Sequence, residues 1–95
     1  MPKAYWIAQV TVLDPEPYAL YAAGASKAFA AYGARILARG GTTEKLEGAV
    51  RDRNVVIEFD SLQQAIACYH SLEYQAAKQH RDNAGEATIF IVEGV

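Results

Sequence analysis

Several features are scarce in this chain of 95 residues, and each scarcity excludes a class of protein. The single cysteine, Cys68, excludes a framework of internal disulfides and favours a reducing compartment. The 9 Lys and Arg are outnumbered by 11 Asp and Glu, which argues against a nucleic-acid-binding surface. No apolar run approaches the roughly 20 residues of a membrane span, and the start lacks a signal-peptide pattern. We therefore expect a cytoplasmic protein that binds neither nucleic acid nor membranes.

Motifs that hold metals or phosphates are also missing. The two histidines, His70 and His80, are ten residues apart and share no spacing on one helix face. The chain contains no Cys-x-x-Cys, His-x-x-His or His-Glu pattern, and the Gly40-Gly41 pair alone is far too short for a phosphate-binding loop. The sequence therefore predicts no metal site and no cofactor.

Hydrophobic residues make up 52% of the chain, which predicts one folded domain spanning residues 1–95. Four runs rich in β-branched and aromatic residues predict strands, and two regions of helical periodicity lie between them. The predicted strands are Tyr5–Leu13, Ala34–Arg39, Asn54–Phe59 and Ala87–Val92.

The helix boundaries carry recognisable signals. Asp14 as N-cap and Pro15 as first residue open the first helix, whose periodic residues end at Tyr32. Ser61 and Gln64 have the spacing of a capping box at the start of the second helix. Ser71 is expected to begin a further helical stretch that continues to Ala84 and stops at Gly85.

The order β-α-β-β-α-β predicts an α+β, ferredoxin-like fold. Right-handed crossovers give an antiparallel four-stranded sheet with strand order 2-3-1-4 and the helices on one face. The opposite face is too apolar for water, since Ile89 and Ile91 point one way along the fourth strand and Phe90 and Val92 the other. We therefore expect a homodimer that forms through the open sheet face.

Several short segments, taken in order, resemble the domain of unknown function 1330 family over essentially the whole chain. They are Tyr5-Trp6-Ile7-Ala8, Tyr32-Gly33-Ala34-Arg35, Arg39-Gly40-Gly41, Val56-Ile57-Glu58-Phe59, Cys68-Tyr69-His70-Ser71-Leu72-Glu73-Tyr74-Gln75 and Ile91-Val92-Glu93-Gly94-Val95. One departure is Leu72, where family members often carry proline. The resemblance implies the dimeric α/β-barrel superfamily, in which the sheets of two copies face each other. That superfamily includes cofactor-free monooxygenases, lactone isomerases, haem-handling enzymes and ligand sensors, so no single activity comes with it.

Glu58 is the first candidate for a catalytic group. Strand alternation places Arg35, Leu37 and Arg39 on one face, and Glu58 lies on the neighbouring strand. A carboxylate beside an arginine suits acid–base work on an anionic substrate. The alternative is a cross-strand ion pair that fixes register or dimer geometry.

His70 and His80 are the other two candidates, because histidine titrates near neutral pH and often acts as a general base. Each lies next to a predicted core position in the sequence and should therefore point away from the core, which is also typical of an ordinary surface histidine. Cys68 lies beside core residues and is expected to be a small buried side chain rather than a nucleophile.

A ligand pocket is expected between the sheet and the second helix. Arg39 and Arg81 are predicted to project into a common space, where they and the hydroxyls of Tyr69 and Tyr74 would hold a carboxylate or enolate. Hydrophobic walls are expected from Trp6, Phe29 and Tyr69. The alternative is that both arginines only cap strand or helix ends at the surface.

The residues leave two classes of function open. One is a homodimer that binds a small acidic or aromatic molecule without transforming it. The alternative is a cofactor-independent monooxygenase or isomerase. The residue types permit both, and no convergent catalytic triad distinguishes them.

Overall fold

The computed structural model describes residues 2–95, and it contains the predicted order of strands and helices. The second helical region consists of two helices that meet at Ser71, where the sequence predicts a break. The elements are β1 (Ala4–Val12), α1 (Pro15–Ala31), β2 (Arg35–Arg39), β3 (Arg53–Phe59), α2 (Leu62–Tyr69), α3 (Leu72–Arg81) and β4 (Gly85–Glu93).

The four strands form one antiparallel sheet in the order β2-β3-β1-β4, which confirms the predicted ferredoxin-like topology. Trp6 in β1 lies opposite Ile57 of β3 and Ile91 of β4, and these three side chains point toward the helices. Neighbouring positions point to the open face, so Ile7 lies between Val56 and Phe90 there. The helices cover only the face that carries Trp6.

Two serine caps show how the sequence positions α2 and α3. The Ser61 hydroxyl accepts a hydrogen bond of 3.1 Å from the backbone N–H of Gln64, as the capping-box spacing predicts. The Ser71 hydroxyl accepts one of 3.1 Å from the N–H of Tyr74 and donates one of 2.6 Å to the Cys68 carbonyl. Ser71 therefore breaks the second helical region, and Leu72 begins α3.

One predicted helix end is confirmed in position, and another needs correction. Asp14 occupies the N-cap of α1, but its side chain makes no capping hydrogen bond. One of the two positions that usually donate to such a cap is Pro17, which has no N–H. At the other end, α3 stops at Arg81 rather than before Gly85, because Asn83 adopts a left-handed backbone with φ of 64° that ends the helix.

The core is built around the indole of Trp6, which is 1% exposed. Its ring lies 5.0 Å from the ring of Tyr74 and 5.1 Å from that of Phe29, both edge to face. The rings of Tyr69 and Phe59 complete the cluster at 5.8 and 6.1 Å. These contacts join α1, α2 and α3 to one sheet face, and they form the back wall of the pockets described below.

The prediction that Arg35, Leu37 and Arg39 share one face is wrong. Arg35 lies opposite Glu58, but the register shifts between Ile36 and Ala38, and Arg39 lies opposite Val55. Leu37 is the extra residue of a β-bulge, and an extra residue reverses the direction of every later side chain in the strand. Arg35 therefore lies on the open face and Arg39 on the face that the helices cover.

Candidate ligand-binding site

The larger cavity, of about 350 Å³, lies between the edge strand β4 and the ends of α2 and α3. The alternation of β4 turns Ala87, Ile89 and Ile91 toward the helices, where they form an apolar floor. Tyr69 at the end of α2 and Arg81 at the end of α3 supply the polar groups, and Phe90 completes the lining. We call this space the β4 cavity.

Arg81 is held in place by two tyrosines of the core. Its Nη1 donates a hydrogen bond of 3.1 Å to the Tyr74 hydroxyl, and its Cζ lies 4.9 Å from the centre of the Tyr21 ring. The hydroxyls of Tyr21 and Tyr74 are 2.9 Å apart and also form a hydrogen bond. No carboxylate among residues 2–95 lies within 4.0 Å of the Arg81 guanidinium. The β4 cavity therefore contains a fixed positive charge that the fold itself does not neutralise.

Burial raises the pKa of both Tyr21 and Tyr74 above the ordinary value for tyrosine. Both phenols are therefore neutral at physiological pH, and neither compensates the charge of Arg81. The Tyr74 hydroxyl and the Tyr21 ring position the guanidinium, while its remaining N–H groups stay available to a ligand.

A second, smaller pocket of about 40 Å³ lies between α1 and the helix-facing side of β1 and β3. Arg39 and Arg53 line it, together with aromatic and small residues that include Tyr18, Tyr21 and Ser26. We call this space the α1 pocket. Arg39 and Arg81 thus line different pockets, and the structure does not bring them into the common space that was expected.

Of the other residues predicted to bind the ligand, only Tyr69 lines the same cavity as Arg81. Trp6 lines the α1 pocket, and Tyr74 is buried in the core. Tyr74 acts on the cavity through its hydrogen bond to Arg81. Phe29, expected as a wall, instead lines the α1 pocket.

Glu58 lies on the open sheet face, away from both pockets. Its Oε1 accepts a hydrogen bond of 2.6 Å from Arg35 Nε, and its Oε2 accepts one of 3.2 Å from the Tyr5 hydroxyl. Arg35 also donates to Asp60 at 2.8 Å. The hydrogen bond from Arg35 holds the pKa of the Glu58 carboxyl below its usual value. The geometry is that of a cross-strand ion pair rather than of a base facing a cavity.

His70 and His80 are both exposed, and neither lines the β4 cavity or the α1 pocket. His70 is the C-cap of α2, with its ring edge-on to Tyr69 at 5.2 Å.

Cys68 is fully buried, and burial raises the pKa of its thiol to about 11, which keeps it protonated. Residues 2–95 hold no cluster of three or more metal-ligating side chains, and none of their helices is long and apolar enough to span a membrane.

The sequence patterns did not reveal two residues of these sites, Tyr21 and Arg53. Helical periodicity assigns Tyr21 only to the apolar stripe of α1, although a tyrosine buried in a core usually finds a partner for its hydroxyl. The predicted third strand starts one residue after Arg53, whereas β3 begins with it. Extending the strand by one residue would have put Arg53 on the same face as Val55 and Ile57.

Solved structures with the same fold come from several bacteria. A protein of unknown function from Rhodopseudomonas palustris matches with a TM-score of 0.75 and 17% identity, over 99% of this chain and 83% of that one. A dimeric ferredoxin-like protein of unknown function from Thermobifida fusca YX matches with a TM-score of 0.60 and 18% identity, over 96% and 92%. SnoaB, a cofactor-independent oxygenase from Streptomyces nogalater, matches with a TM-score of 0.58 and 11% identity, over 97% and 92%.

At these identities the solved structures establish the fold and not a function. No curated protein sequence matches the chain. The family model described as "Domain of unknown function (DUF1330)" matches residues 3–95, and the chain therefore belongs to this family.

Proposed function

We propose that this protein is a cytoplasmic homodimer that binds a small organic acid, aromatic or aliphatic, in the β4 cavity of each subunit. The observation that carries the proposal is the guanidinium of Arg81, which lines the cavity with no carboxylate partner among residues 2–95. The unpaired, buried Cys68 supports a reducing location.

The size and lining of the cavity support a small ligand with one anionic end. Ligand pockets typically measure about 300–1,000 Å³, so about 350 Å³ suits a compact molecule. Ile89 and Ile91 offer an apolar surface to a ring or alkyl group, and Arg81 offers charged hydrogen bonds to a carboxylate. A neutral ligand would leave the arginine without a counter-charge.

The test compares an acid with its neutral analogue. We expect benzoate to bind and to raise the melting temperature, whereas benzamide binds much more weakly. Arg81→Gln should weaken benzoate binding by about 10- to 100-fold, because it removes a charged hydrogen bond worth about 1.5–3 kcal/mol. Lys78→Gln, on the same helix but outside the cavity lining, is the matched control and should bind normally. Equal affinity of the Arg81→Gln variant for benzoate would refute the site.

The open sheet face supports the homodimer. Phe90 and Val92 are 47% and 49% exposed there, beside Ile7 and Val56 on the neighbouring strands. Solved structures of this fold from Thermobifida fusca YX and Bacteroides fragilis are described as dimeric. A contact between two such faces would bury an apolar patch that is costly to leave in water.

Sedimentation tests the dimer with one variant on each face. Phe90→Asp should yield a folded monomer at micromolar concentration, because it places a charge in the centre of the apolar patch. Leu72→Asp adds the same charge at a residue that is 85% exposed on the helical side, so it should leave the assembly unchanged. A monomeric parent protein, or a Phe90→Asp variant that sediments like the parent, would overturn the proposal.

A cofactor-independent oxygenase or isomerase is the alternative, and the fixed guanidinium of Arg81 favours it. A positive charge held by two neutral tyrosines can stabilise an enolate without rearranging. SnoaB shares the fold and is a cofactor-independent oxygenase. In this alternative Glu58, His70 and His80, which lie outside the cavity, would not act as bases within a single subunit. Oxygen uptake in the presence of an enolisable aromatic ketone, abolished by Arg81→Gln, would favour the enzyme over the binding protein.

A further inference from the structure

The α1 pocket contains two arginines that the fold does not neutralise. Arg39 and Arg53 come from adjacent strands and both lie on the helix-facing side. No carboxylate among residues 2–95 lies within 4.0 Å of either guanidinium, and Nε of Arg53 is buried without a hydrogen-bond partner. Buried donors are nearly always paired in folded proteins, so the fold leaves the Arg53 guanidinium less satisfied than is usual.

Other arginines of the chain behave differently. Arg35 pairs with Glu58 and Asp60, and Arg51 donates to Thr11 and Glu86. The chain has more acidic than basic residues, so carboxylates are not in short supply. The arginines of the α1 pocket are therefore unpaired because of where the backbone places them.

Two backbone features bring these guanidiniums into the pocket. The bulge at Leu37 turns Arg39 from the open face to the helix side. At Gly40, φ is 68°, and a Cβ built there would lie 2.6 Å from Arg53 Nη1. A side chain at position 40 would thus displace the Arg53 guanidinium, whose Cζ lies 5.7 Å from the centre of the Tyr18 ring.

We propose that Arg39 and Arg53 form a second anion-binding site, separate from the β4 cavity, which takes the carboxylate group of a small organic acid. The pocket volume of about 40 Å³ exceeds the roughly 10–15 Å³ that one water needs, which leaves room for a carboxylate group. The Nη groups of the two guanidiniums provide enough donors for both carboxylate oxygens. The rest of a larger ligand lies outside, along the exposed side chain of Arg39.

The experiment follows the arginine Nε–H resonances of isotopically labelled protein by NMR. Sodium acetate is titrated in place of sodium chloride at constant ionic strength. We expect the Arg53 Nε–H and the Gly40 amide to shift with saturation, and Arg39→Gln to weaken this binding by about tenfold. Arg51→Gln is the matched control, because Arg51 is paired and lies outside the α1 pocket, and it should bind acetate normally.

The proposals for the two sites can be refuted independently of each other. Acetate should shift Arg53 equally in the parent protein and in Arg81→Gln, whatever happens to benzoate binding in the β4 cavity. Arg53→Lys, followed through the Gly40 amide, gives a second variant that keeps the charge but loses the planar guanidinium donors, and it should also bind acetate more weakly. Non-saturating shifts, or shifts unchanged in Arg39→Gln, would overturn this second site.

Discussion

The hydrogen-bonded tyrosine pair behind the β4 cavity allows a quantitative test of how the core holds Arg81. In Tyr74→Phe the ring contacts with Trp6 remain, but the Tyr21 hydroxyl loses its partner and Arg81 loses its acceptor. Leaving a buried hydroxyl unpaired costs about 1–3 kcal/mol. We therefore expect Tyr74→Phe to lower the free energy of unfolding by about 2 kcal/mol, and the melting temperature by about 8 °C or more.

Tyr21→Phe should cost less, although it breaks the same tyrosine–tyrosine hydrogen bond. The Tyr74 hydroxyl still accepts a hydrogen bond from Arg81, and the phenylalanine ring still lies under the guanidinium. We expect this variant to lower the free energy of unfolding by about 0.5–1.5 kcal/mol. The double variant should lose little more free energy of unfolding than Tyr74→Phe alone, because no buried hydroxyl is then left unpaired.

Urea unfolding, followed by fluorescence, measures the free energy of unfolding of the three variants. All samples have the same protein concentration, because oligomers unfold in a concentration-dependent way. Two results would refute the reasoning. One is equal destabilisation by both single variants. The other is strict additivity in the double variant, which would mean that the two hydroxyls act independently.

Two further predictions concern the sheet and the helix contact. The hydrogen bond from Arg35 lowers the pKa of Glu58 in the folded state below its value in the unfolded chain. The stability that this ion pair adds to the fold is therefore complete above about pH 4.3, the ordinary pKa of glutamate, and is lost as the pH falls through the folded pKa. Melting curves of Glu58→Gln should thus vary less between pH 5 and pH 3 than those of the parent, and parallel pH profiles would contradict this. A Cβ at Gly24 would lie 2.8 Å from that of Ala77, so Gly24→Ala should lower the melting temperature despite its better helix propensity. Adding Ala77→Gly should restore it, and a Gly24→Ala variant more stable than the parent would contradict the close helix contact.

The fold was predictable because several local signals agreed. The aromatic and β-branched run starting at Tyr5, the cap at Ser61 and the break at Ser71 each predict an element that the structure contains. Handedness rules then leave a single sheet order for β-α-β-β-α-β. None of these inferences depends on where one particular side chain points, so errors of one residue at an element's end do not affect them.

The candidate site was less predictable, because it depends on single side-chain directions. All five residues of β2 are exposed, so this edge strand lacks the buried and exposed alternation that reveals a register. The bulge at Leu37 therefore leaves no hydrophobic signal, and strict alternation placed Arg39 on the wrong face. Arg81 was placed correctly with Tyr74 because seven residues of regular helix connect them.

Net charge was a poor guide to ligand charge in this molecule. The formal charge of −2 argues against a polyanionic partner, yet it does not exclude single carboxylates. Arg35 and Arg51 are neutralised by acidic neighbours, whereas Arg39, Arg53 and Arg81 all lie on the helix side of the sheet without one. Because the Debye length in physiological salt is only about 8 Å, an anion in either pocket is attracted mainly by the nearest guanidinium. The chain can thus be acidic overall and still attract a small carboxylate to the β4 cavity and to the α1 pocket.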